Sequence, residues 1–318
     1  MATSSSSEML AEASVPGKPE ANRVLVIFCF GAIYLIWGST FLAIRYAVEN
    51  LPALYVVSFR HVCAGSILLV WALMKGERPT WEQIRASVVI GFLFFLVGHG
   101  TLHWAEKSVP SGLAALLIAV EPIFVFVMSS AVARVWRLNG MLVAGILVGL
   151  GGVALLVRDS TTEGGSKLTA GVLAILIGAI SWAAGIIYSR RSKLSGSPLL
   201  LSALSLLSGA LMLFLAGTLM GEWKGFTLAR VGTRGWMSIV YLILFGSVIA
   251  FTAYNWLLEH YSPTMVATHT YVNPVVAVLL GWAYGGETLT AQVGVAATMV
   301  IAAVVLVDRG TNRLHGLA

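Results

Sequence analysis

The chain of 318 residues consists of long apolar runs separated by short polar turns. A helix needs roughly 20 mostly apolar residues to cross a bilayer. Ten runs reach that length, each bounded by turn-forming or charged residues. The pattern predicts an all-α integral membrane protein with ten transmembrane helices. The predicted spans are 24–47, 54–74, 86–105, 111–133, 139–157, 169–189, 198–220, 234–258, 262–284 and 290–307.

Composition supports the membrane class. Only 11% of the residues are charged, whereas soluble domains carry about 25%. The net charge of +6 comes from Lys and Arg in short loops, so we interpret it as membrane orientation and expect no nucleic-acid partner. Twelve basic residues fall in segments on the same side of the membrane as the N-terminus, and seven fall on the opposite side. Because basic residues are enriched on the cytoplasmic side, this excess favours a cytoplasmic N-terminus and a cytoplasmic C-terminus. Polar composition predicts a disordered cytoplasmic tail at 1–22, a linker at 159–168 and a C-terminal tail at 309–318.

The second half of the chain repeats the first. A segment beginning at Trp104 aligns with one beginning at Trp256 at a constant offset. Each half holds five predicted spans, an odd number, so the second copy must enter the membrane upside down. Inverted repeats are typical of transporters that alternate access around a central site. Duplication within a structural membrane protein would leave the same trace. The aligned pairs are Trp104 with Trp256, Glu121 with Asn273, and Pro122 with Pro274.

Four stretches carry a resemblance to a known family. They are WGSTFLAIRYAVENLPALYVVSFRHVCAG, SVPSGLAALLIAVEPIF, GAISWAAGIIYSRR, and a C-terminal block that contains YVNPVVAVLLG and GGETLT. Together they resemble the EamA-type branch of the drug/metabolite transporter superfamily, particularly the YedA-like permeases. The resemblance implies two EamA repeats, at 23–158 and 169–308, and export of small metabolites across the bacterial inner membrane. The chain departs from the family at Glu121, where an uncharged residue is more common.

Glu121 interrupts an apolar run near the middle of the fourth span, directly before Pro122. An ionised carboxylate at that depth costs about 2.5–3.5 kcal/mol. Protonating a carboxyl group at neutral pH costs roughly 3.7 kcal/mol, a comparable amount. Glu121 is therefore our proton-coupling candidate. The alternatives are a structural ion pair and a permanently neutral acid. Pro122 and its counterpart Pro274 are predicted to break their helices.

Three further polar residues lie within predicted spans. Arg60 could attract a substrate carboxylate, neutralise Glu121, or extend along its stem to the interface. His99 and His103 are four residues apart and share one helix face. They lack the Glu of HExxH and a completing ligand, so we predict no metal site. They are interpreted as a wet pocket wall or proton relay, or as packed, hydrogen-bonded residues.

Other polar and aromatic side chains are predicted to line the cavity with these. Interfacial belts cannot account for tryptophans in mid-span, which must either pack or line a cavity. The additional candidates are Trp37, Ser39, Thr40, Trp182, Tyr188, Tyr254, Asn255, His269 and Asn273. The fifth and tenth spans carry small residues instead and are predicted to form scaffold or dimer contacts.

The leading hypothesis is a secondary transporter that exports small amphipathic metabolites such as amino acids or drugs, with proton coupling as a further hypothesis. No nucleotide-binding GxxxxGK[ST] motif occurs, so energy would come from gradients and no cofactor is expected. An enzyme is not expected, because GxGD, HExxH and GxSxG are absent. A non-transporting scaffold or receptor is the alternative. The expected partners are a small-molecule substrate and the bilayer, with the chain a monomer or homodimer. Substrate, coupling ion and direction stay open.

Overall fold

The computed structural model describes residues 23–134, 136, 138–162, 165–192, 197–224, 226–227, 231–261 and 263–315. Within these ranges the chain is helical and forms no β-strand. We number the helices α1 to α10. They are α1 (Arg23–Val48), α2 (Ala53–Met74), α3 (Trp81–Ala105), α4 (Ser111–Ile118 and Glu121–Ala133), α5 (Gly140–Thr162), α6 (Gly165–Arg191), α7 (Pro198–Leu219), α8 (Thr233–Tyr241, Leu242–Ile249 and Ala250–His260), α9 (Pro263–Val266 and His269–Gly285) and α10 (Ala291–His315).

Eight helices of the described chain are long and apolar enough to cross a membrane. The other two predicted spans are helical as well but shorter in their apolar part. That part is Gly140–Leu156 in α5, while the main segment of α9, His269–Gly285, has 17 residues. The membrane-helical class is confirmed, and the structure supports eight spans by length and composition.

In the part of the chain that the structure describes, three helices contain π-helical segments, in which the backbone is wound more widely than in an α-helix. These segments are Ala32–Ile36 in α1, Gly91–His99 in α3 and Leu242–Ile249 in α8. Helices α3 and α8 hold the same place in the two halves of the chain, so the repeat extends to backbone geometry. Because π segments free backbone groups and occur frequently at functional sites, they identify where a site could be built.

Helices α4 and α9 are both interrupted. Helix α4 stops at Ile118 and restarts at Glu121, which places Pro122 in the first turn, where its missing N–H is tolerated. The prediction for Pro274 is wrong, because the helix His269–Gly285 runs through it and the interruption lies earlier, at 267–268. A proline costs one backbone hydrogen bond, a loss that packed neighbours tolerate within a membrane.

The end of the bundle at which α1 terminates, here called the distal end, is joined by carboxylates from remote segments. Helices α2 and α4 begin there after prolines, and neither has a side-chain cap of its own. The backbone N–H of Leu54 in α2 donates to Glu222, which follows α7, at 2.9 Å. Glu287, which follows α9, serves α4 in the same way. Each acid satisfies exposed N–H groups at a helix start, where negative charge is favourable.

Helices α5 and α10 pack closely through small residues. A Cβ atom on Gly145 would lie 2.9 Å from the Cβ of Leu306, and one on Gly149 would lie 3.0 Å from the Cβ of Ala303. No side chain fits at either glycine without displacing the partner helix. The pair therefore forms part of the scaffold, as the small-residue pattern indicates.

Candidate functional site

A group of ring side chains joins α2, α3 and α6 inside the bundle. The imidazole of His99 stacks on the indole of Trp182 with 5.0 Å between ring centroids, and Phe94 lies 4.5 Å from the same indole. On its other side, Nδ1 of His99 lies 3.0 Å from Nε2 of His61. We call His61, His99, His103 and the neighbouring Arg60 the histidine cluster. The cluster and the indole that stacks on it bring together four of the predicted site residues: Arg60, His99, His103 and Trp182.

Two buried ring nitrogens of the histidine cluster have no hydrogen-bond partner in the described part of the chain. Nδ1 of His103 donates to the carbonyl of His99 at 2.8 Å, so Nε2 of the neutral ring is an acceptor. That Nε2 atom and Nδ1 of His61 are buried without a hydrogen bond, on side chains exposed by 0% and 1%. Buried polar atoms are normally satisfied. These two are therefore available to a ligand or to water that enters the cluster.

Arg60 is a buried cation without a counter-ion among the described residues. It is 6% exposed, so its side chain does not extend to the interface, and that interpretation is wrong. Its Nε donates to Oγ of Ser247 at 2.9 Å, and Ser247 donates to the Leu242 carbonyl within the π segment of α8. No described carboxylate lies within ion-pair distance, Glu121 included. Burying a charge in this way is costly unless it serves a ligand.

A second ring group joins α1, α8 and α9. The Trp37 indole lies 5.2 Å from the Tyr254 ring and 5.0 Å from the His269 ring. Its Nε1 donates to the backbone carbonyl of Gly246 at 3.1 Å. His269 in turn donates through Nδ1 to the carbonyl of Val266, the last residue before the interruption of α9. Trp37 and Trp182 thus occupy similar places in the two halves of the chain.

The two groups meet at the π segment of α8. A Cβ atom on Gly246 would lie 3.0 Å from Cγ2 of Thr40 and 3.4 Å from Nη2 of Arg60. Only glycine leaves this space, and the next residue, Ser247, holds the guanidinium. Gly246 and Ser247 of the π segment therefore contact Trp37 on one side and Arg60 on the other, and so connect the two groups.

Two of the predicted hydroxyls bond to their own helix. Ser39 donates to the Ile36 carbonyl at 2.8 Å and Thr40 to the Trp37 carbonyl at 2.6 Å. The Ser39 hydroxyl also lies 2.6 Å from the hydroxyl of Tyr241. Such back-bonding satisfies the hydroxyl locally, so these side chains shape α1 near the site.

Asn273 is held between α9 and α1. With its amide oriented to suit its neighbours, the NH2 group donates to the carbonyls of Tyr34 at 3.0 Å, His269 at 3.1 Å and Ile33 at 3.2 Å. Ile33 and Tyr34 lie in the π segment of α1, so the amide satisfies backbone groups that the wider winding frees. This interaction explains why the second repeat has an uncharged residue, Asn273, at the position that aligns with Glu121.

Two further candidates are not brought into the site. Tyr188 is half-buried and makes no ring contact with either group in the described part of the chain. The side chain of Asn255 lies outside the described residues, although its backbone is helical. Both stay predictions. No set of three His, Cys, Asp or Glu residues arranged to hold a metal ion occurs among the described residues.

Glu121 forms no ion pair or hydrogen bond with the histidine cluster as far as the described residues show. It is half-buried and begins the second segment of α4, and no hydrogen bond or ion pair from a described residue reaches its carboxylate. The interruption of α4 creates a free helix N-terminus inside the bundle, which favours negative charge in the first turn. This explains why the charge and the proline occur together.

The distal end contains a polar group that the sequence analysis missed. Oε1 of Glu287 accepts hydrogen bonds from Nη1 of Arg45 at 2.7 Å and from the N–H and hydroxyl of Ser111 at 2.6 and 2.7 Å. Its Oε2 accepts from the N–H of Gly112 at 3.0 Å. We call Arg45, Ser111, Gly112 and Glu287 the distal latch. Two features of the sequence could have indicated this group. They are the acidic Glu287 just after one span, and a proline at the start of another span that has no capping side chain of its own.

Glu106 lies next to the distal latch at the end of α3. It is 2% exposed, and neither carboxyl oxygen has a hydrogen-bond partner among the residues that the structure describes. Burial raises the pKa of Glu106 well above its ordinary value, and the negative charge of Glu287 adds to the shift, while Arg45 opposes it. Its surroundings therefore favour the neutral acid over the carboxylate.

Comparison with known proteins identifies a family and several relatives of this chain. The EamA-like transporter family matches residues 24–158 and again 169–308. The chain is 37% identical over 286 residues to the Escherichia coli (strain K12) protein named uncharacterized inner membrane transporter YedA, covering 88% of this chain and 89% of that protein. It is 26% identical to a WAT1-related chloroplastic protein of Arabidopsis thaliana, over 86% of this chain and 67% of that protein. A crystal structure with 20% identity shares the fold, with a TM-score of 0.62 over 92% of this chain and 99% of that one. The two family matches that together cover most of the chain, and the relative that is 37% identical to it, show that this chain belongs to the EamA-like transporter family.

Proposed function

We propose that the chain is a secondary transporter that exports small metabolites across the bacterial inner membrane by alternating access. One observation carries the proposal: Arg60 is buried without a counter-ion among the described residues, beside two unpartnered histidine nitrogens. A protein that only scaffolds gains nothing from such costly groups, whereas a carrier uses them when substrate enters. The family and the name of the Escherichia coli relative support the same function.

The chemistry of the site favours a substrate with an anionic group and a planar or apolar part. A guanidinium binds a carboxylate through charge-assisted hydrogen bonds. Trp37 and Trp182 offer aromatic faces in the two ring groups, and Nε2 of His103 can accept a hydrogen bond from a substrate N–H or O–H group. Amino acids and related amphipathic compounds combine these features.

Alternating access requires the bundle to open at each end in turn. The interruptions of α4 and α9 and the π segments of α3 and α8 occur in pairs, one in each half of the chain. Such paired interruptions suit rocking of one repeat against the other. In the proposed topology ten helices cross the membrane with both termini in the cytoplasm, so the distal end faces away from the cytoplasm.

Flux through purified protein tests the transporter function. Proteoliposomes loaded with a mixture of unlabelled amino acids would be presented with individual radiolabelled amino acids and their carboxamide analogues. We expect counterflow of one or more amino acids above that of protein-free liposomes, and none for the matching carboxamides. Absence of counterflow for amino acids, nucleosides and cationic drugs alike would contradict the proposal.

Proton coupling would be carried by Glu121, which has no partner among the described residues. The variant Glu121→Gln keeps the shape of the side chain and cannot exchange a proton. We expect it to retain counterflow and to lose transport driven by a pH gradient. Glu82→Gln is the matched control, because Glu82 is an exposed acid in the first turn of α3. Unchanged gradient-driven transport in Glu121→Gln would remove the coupling role and leave the transporter function standing.

A further inference from the structure

Glu106 is enclosed by the packing of the distal end. It follows the last helical residue of α3, and Ala105 and Val109 on either side of it are fully buried. Both belong to the same apolar cluster as Ala47 and Val48 near the end of α1. The carboxyl group is thus held in an apolar layer between α1 and the start of α4.

The neighbouring charges leave Glu106 without a dedicated partner. Arg45 of α1 and Glu287 after α9 are the charged groups that act on it, and they are already paired with each other at 2.7 Å. On its own segment, Lys107 is exposed and lies 3.6 Å from Glu222. From α6, Lys167 offers only its backbone carbonyl, to Ser108, and its side chain is exposed. An ionised Glu106 would therefore add a second negative charge beside Glu287, while the nearby cation, Arg45, is already paired with Glu287.

We propose that Glu106 is a proton-binding site that controls closure of the distal end. The neutral acid fits the closed packing, because it adds no charge beside Glu287. Loss of the proton creates an uncompensated buried charge, which is relieved when the distal latch separates and water reaches the carboxylate. The ligand of this site is the proton, and the inference gives the proposed transporter a response to pH at the end away from the cytoplasm.

The direction of the pH effect follows from proton binding. In the closed state Glu106 keeps its proton above the ordinary pKa of 4.5, at which a water-exposed carboxyl group loses it. The closed state therefore binds more protons than the open one, and closure weakens as pH rises between the ordinary and the raised pKa. With one proton involved, the ratio of open to closed molecules changes by at most about tenfold per pH unit.

Distance measurements between spin labels test this inference without any substrate. Labels on Asn50→Cys and Leu289→Cys would report the separation of the α1 and α9 ends, since both residues are exposed there. The two native cysteines, Cys29 and Cys63, would be replaced by alanine. In the otherwise unaltered chain we expect the longer distance to gain population from about pH 5 to about pH 9.

Three variants give the test its specificity. Glu106→Gln and Glu106→Met cannot ionise, and we expect the short distance in both at every pH; the apolar Met variant serves if the amide is not accommodated. Glu49→Gln removes an exposed acid at the same end and should keep the pH response. A pH-independent distance in the otherwise unaltered chain, or an unchanged response in the Glu106 variants, would overturn the inference. A pH response without counterflow would instead sink the transporter function and leave the proton site standing.

Discussion

The histidine cluster is buried among apolar helices and the distal latch is partly exposed at the end of the bundle, and the two polar groups differ in how their atoms are satisfied. In the latch, one carboxylate accepts four hydrogen bonds, one of them from Arg45. In the cluster, within the described residues, two buried histidine nitrogens have no partner and Arg60 makes a single side-chain hydrogen bond, to Ser247. Satisfied polar groups hold helices together, whereas unsatisfied ones cost stability and suit a ligand. The contrast favours a structural role for the distal latch and a ligand-binding role for the histidine cluster.

The sharpest way to break this comparison is to remove the unpaired charge. Arg60→Gln should lower kcat/KM for counterflow by roughly 10- to 150-fold, the equivalent of about 1.5–3 kcal/mol for a charge-assisted hydrogen bond. Arg60→Lys should recover part of the loss. Ser247→Ala, which removes the residue that positions the guanidinium, should lie between Arg60→Gln and the unaltered chain. Full activity in Arg60→Gln would remove Arg60 from the site.

Weakening the distal latch should lower the free energy of unfolding more than it lowers the transport rate. Glu287→Gln keeps the shape but removes the charge that pairs with Arg45, and we expect the free energy of unfolding in detergent to fall by about 1–3 kcal/mol. Glu222→Gln is the matched control, because Glu222 also accepts a helix N–H but lies 3.6 Å from an exposed Lys107. Its effect should stay below about 1 kcal/mol. Equal losses in the two variants would show that the latch is an ordinary surface pair.

The aromatic face of the cluster should have a smaller effect. Trp182→Phe shortens the ring that stacks on His99, and stacking of this kind is worth about 0.5–1.5 kcal/mol beyond buried area. We expect a roughly two- to tenfold rise in KM for an aromatic substrate. The control is Tyr55→Phe, because the Tyr55 ring packs on Phe214 away from the site. This variant should leave KM unchanged. An unchanged KM in Trp182→Phe would indicate that the indole only packs.

The smallest expected change has the opposite sign to that of the latch. His103→Leu replaces a buried ring with an unpartnered nitrogen by an apolar side chain, so the free energy of unfolding should stay constant or rise by up to about 1 kcal/mol. Transport should fall at the same time. Ser58→Ala is the control, because the Ser58 hydroxyl is satisfied by the Ala210 carbonyl and its removal should cost stability. A clear loss of stability in His103→Leu would make the cluster structural.

Much of the architecture could be predicted from local pattern. Apolar runs of sufficient length gave the helices, and the offset between the two halves located the paired interruptions to within two turns. The helix break predicted at Pro274 is wrong, because the effect of a proline depends on whether neighbouring helices satisfy the carbonyl that it frees. The predicted site residues Trp37, Arg60, His99 and Trp182 do come together, since each is a polar or aromatic interruption of an apolar face.

The distal end shows why the rest could not be predicted. Glu287 reads as part of a turn, and Glu106 reads as one of several charges at a span end. Their roles depend on which helix start and which cation lie within a few ångströms, and residues 106 and 287 are far apart in the chain. No periodicity or spacing connects them.

By itself, the sequence determined that this chain is a repeated set of membrane helices with a few polar residues inside, because each apolar run carries its own burial energy. The tertiary structure alone decided which polar atoms have partners. Hydrogen bonds and ion pairs act over a few ångströms between segments that only packing brings together. Whether Glu287 is satisfied and Arg60 is not is therefore a property of the assembled bundle.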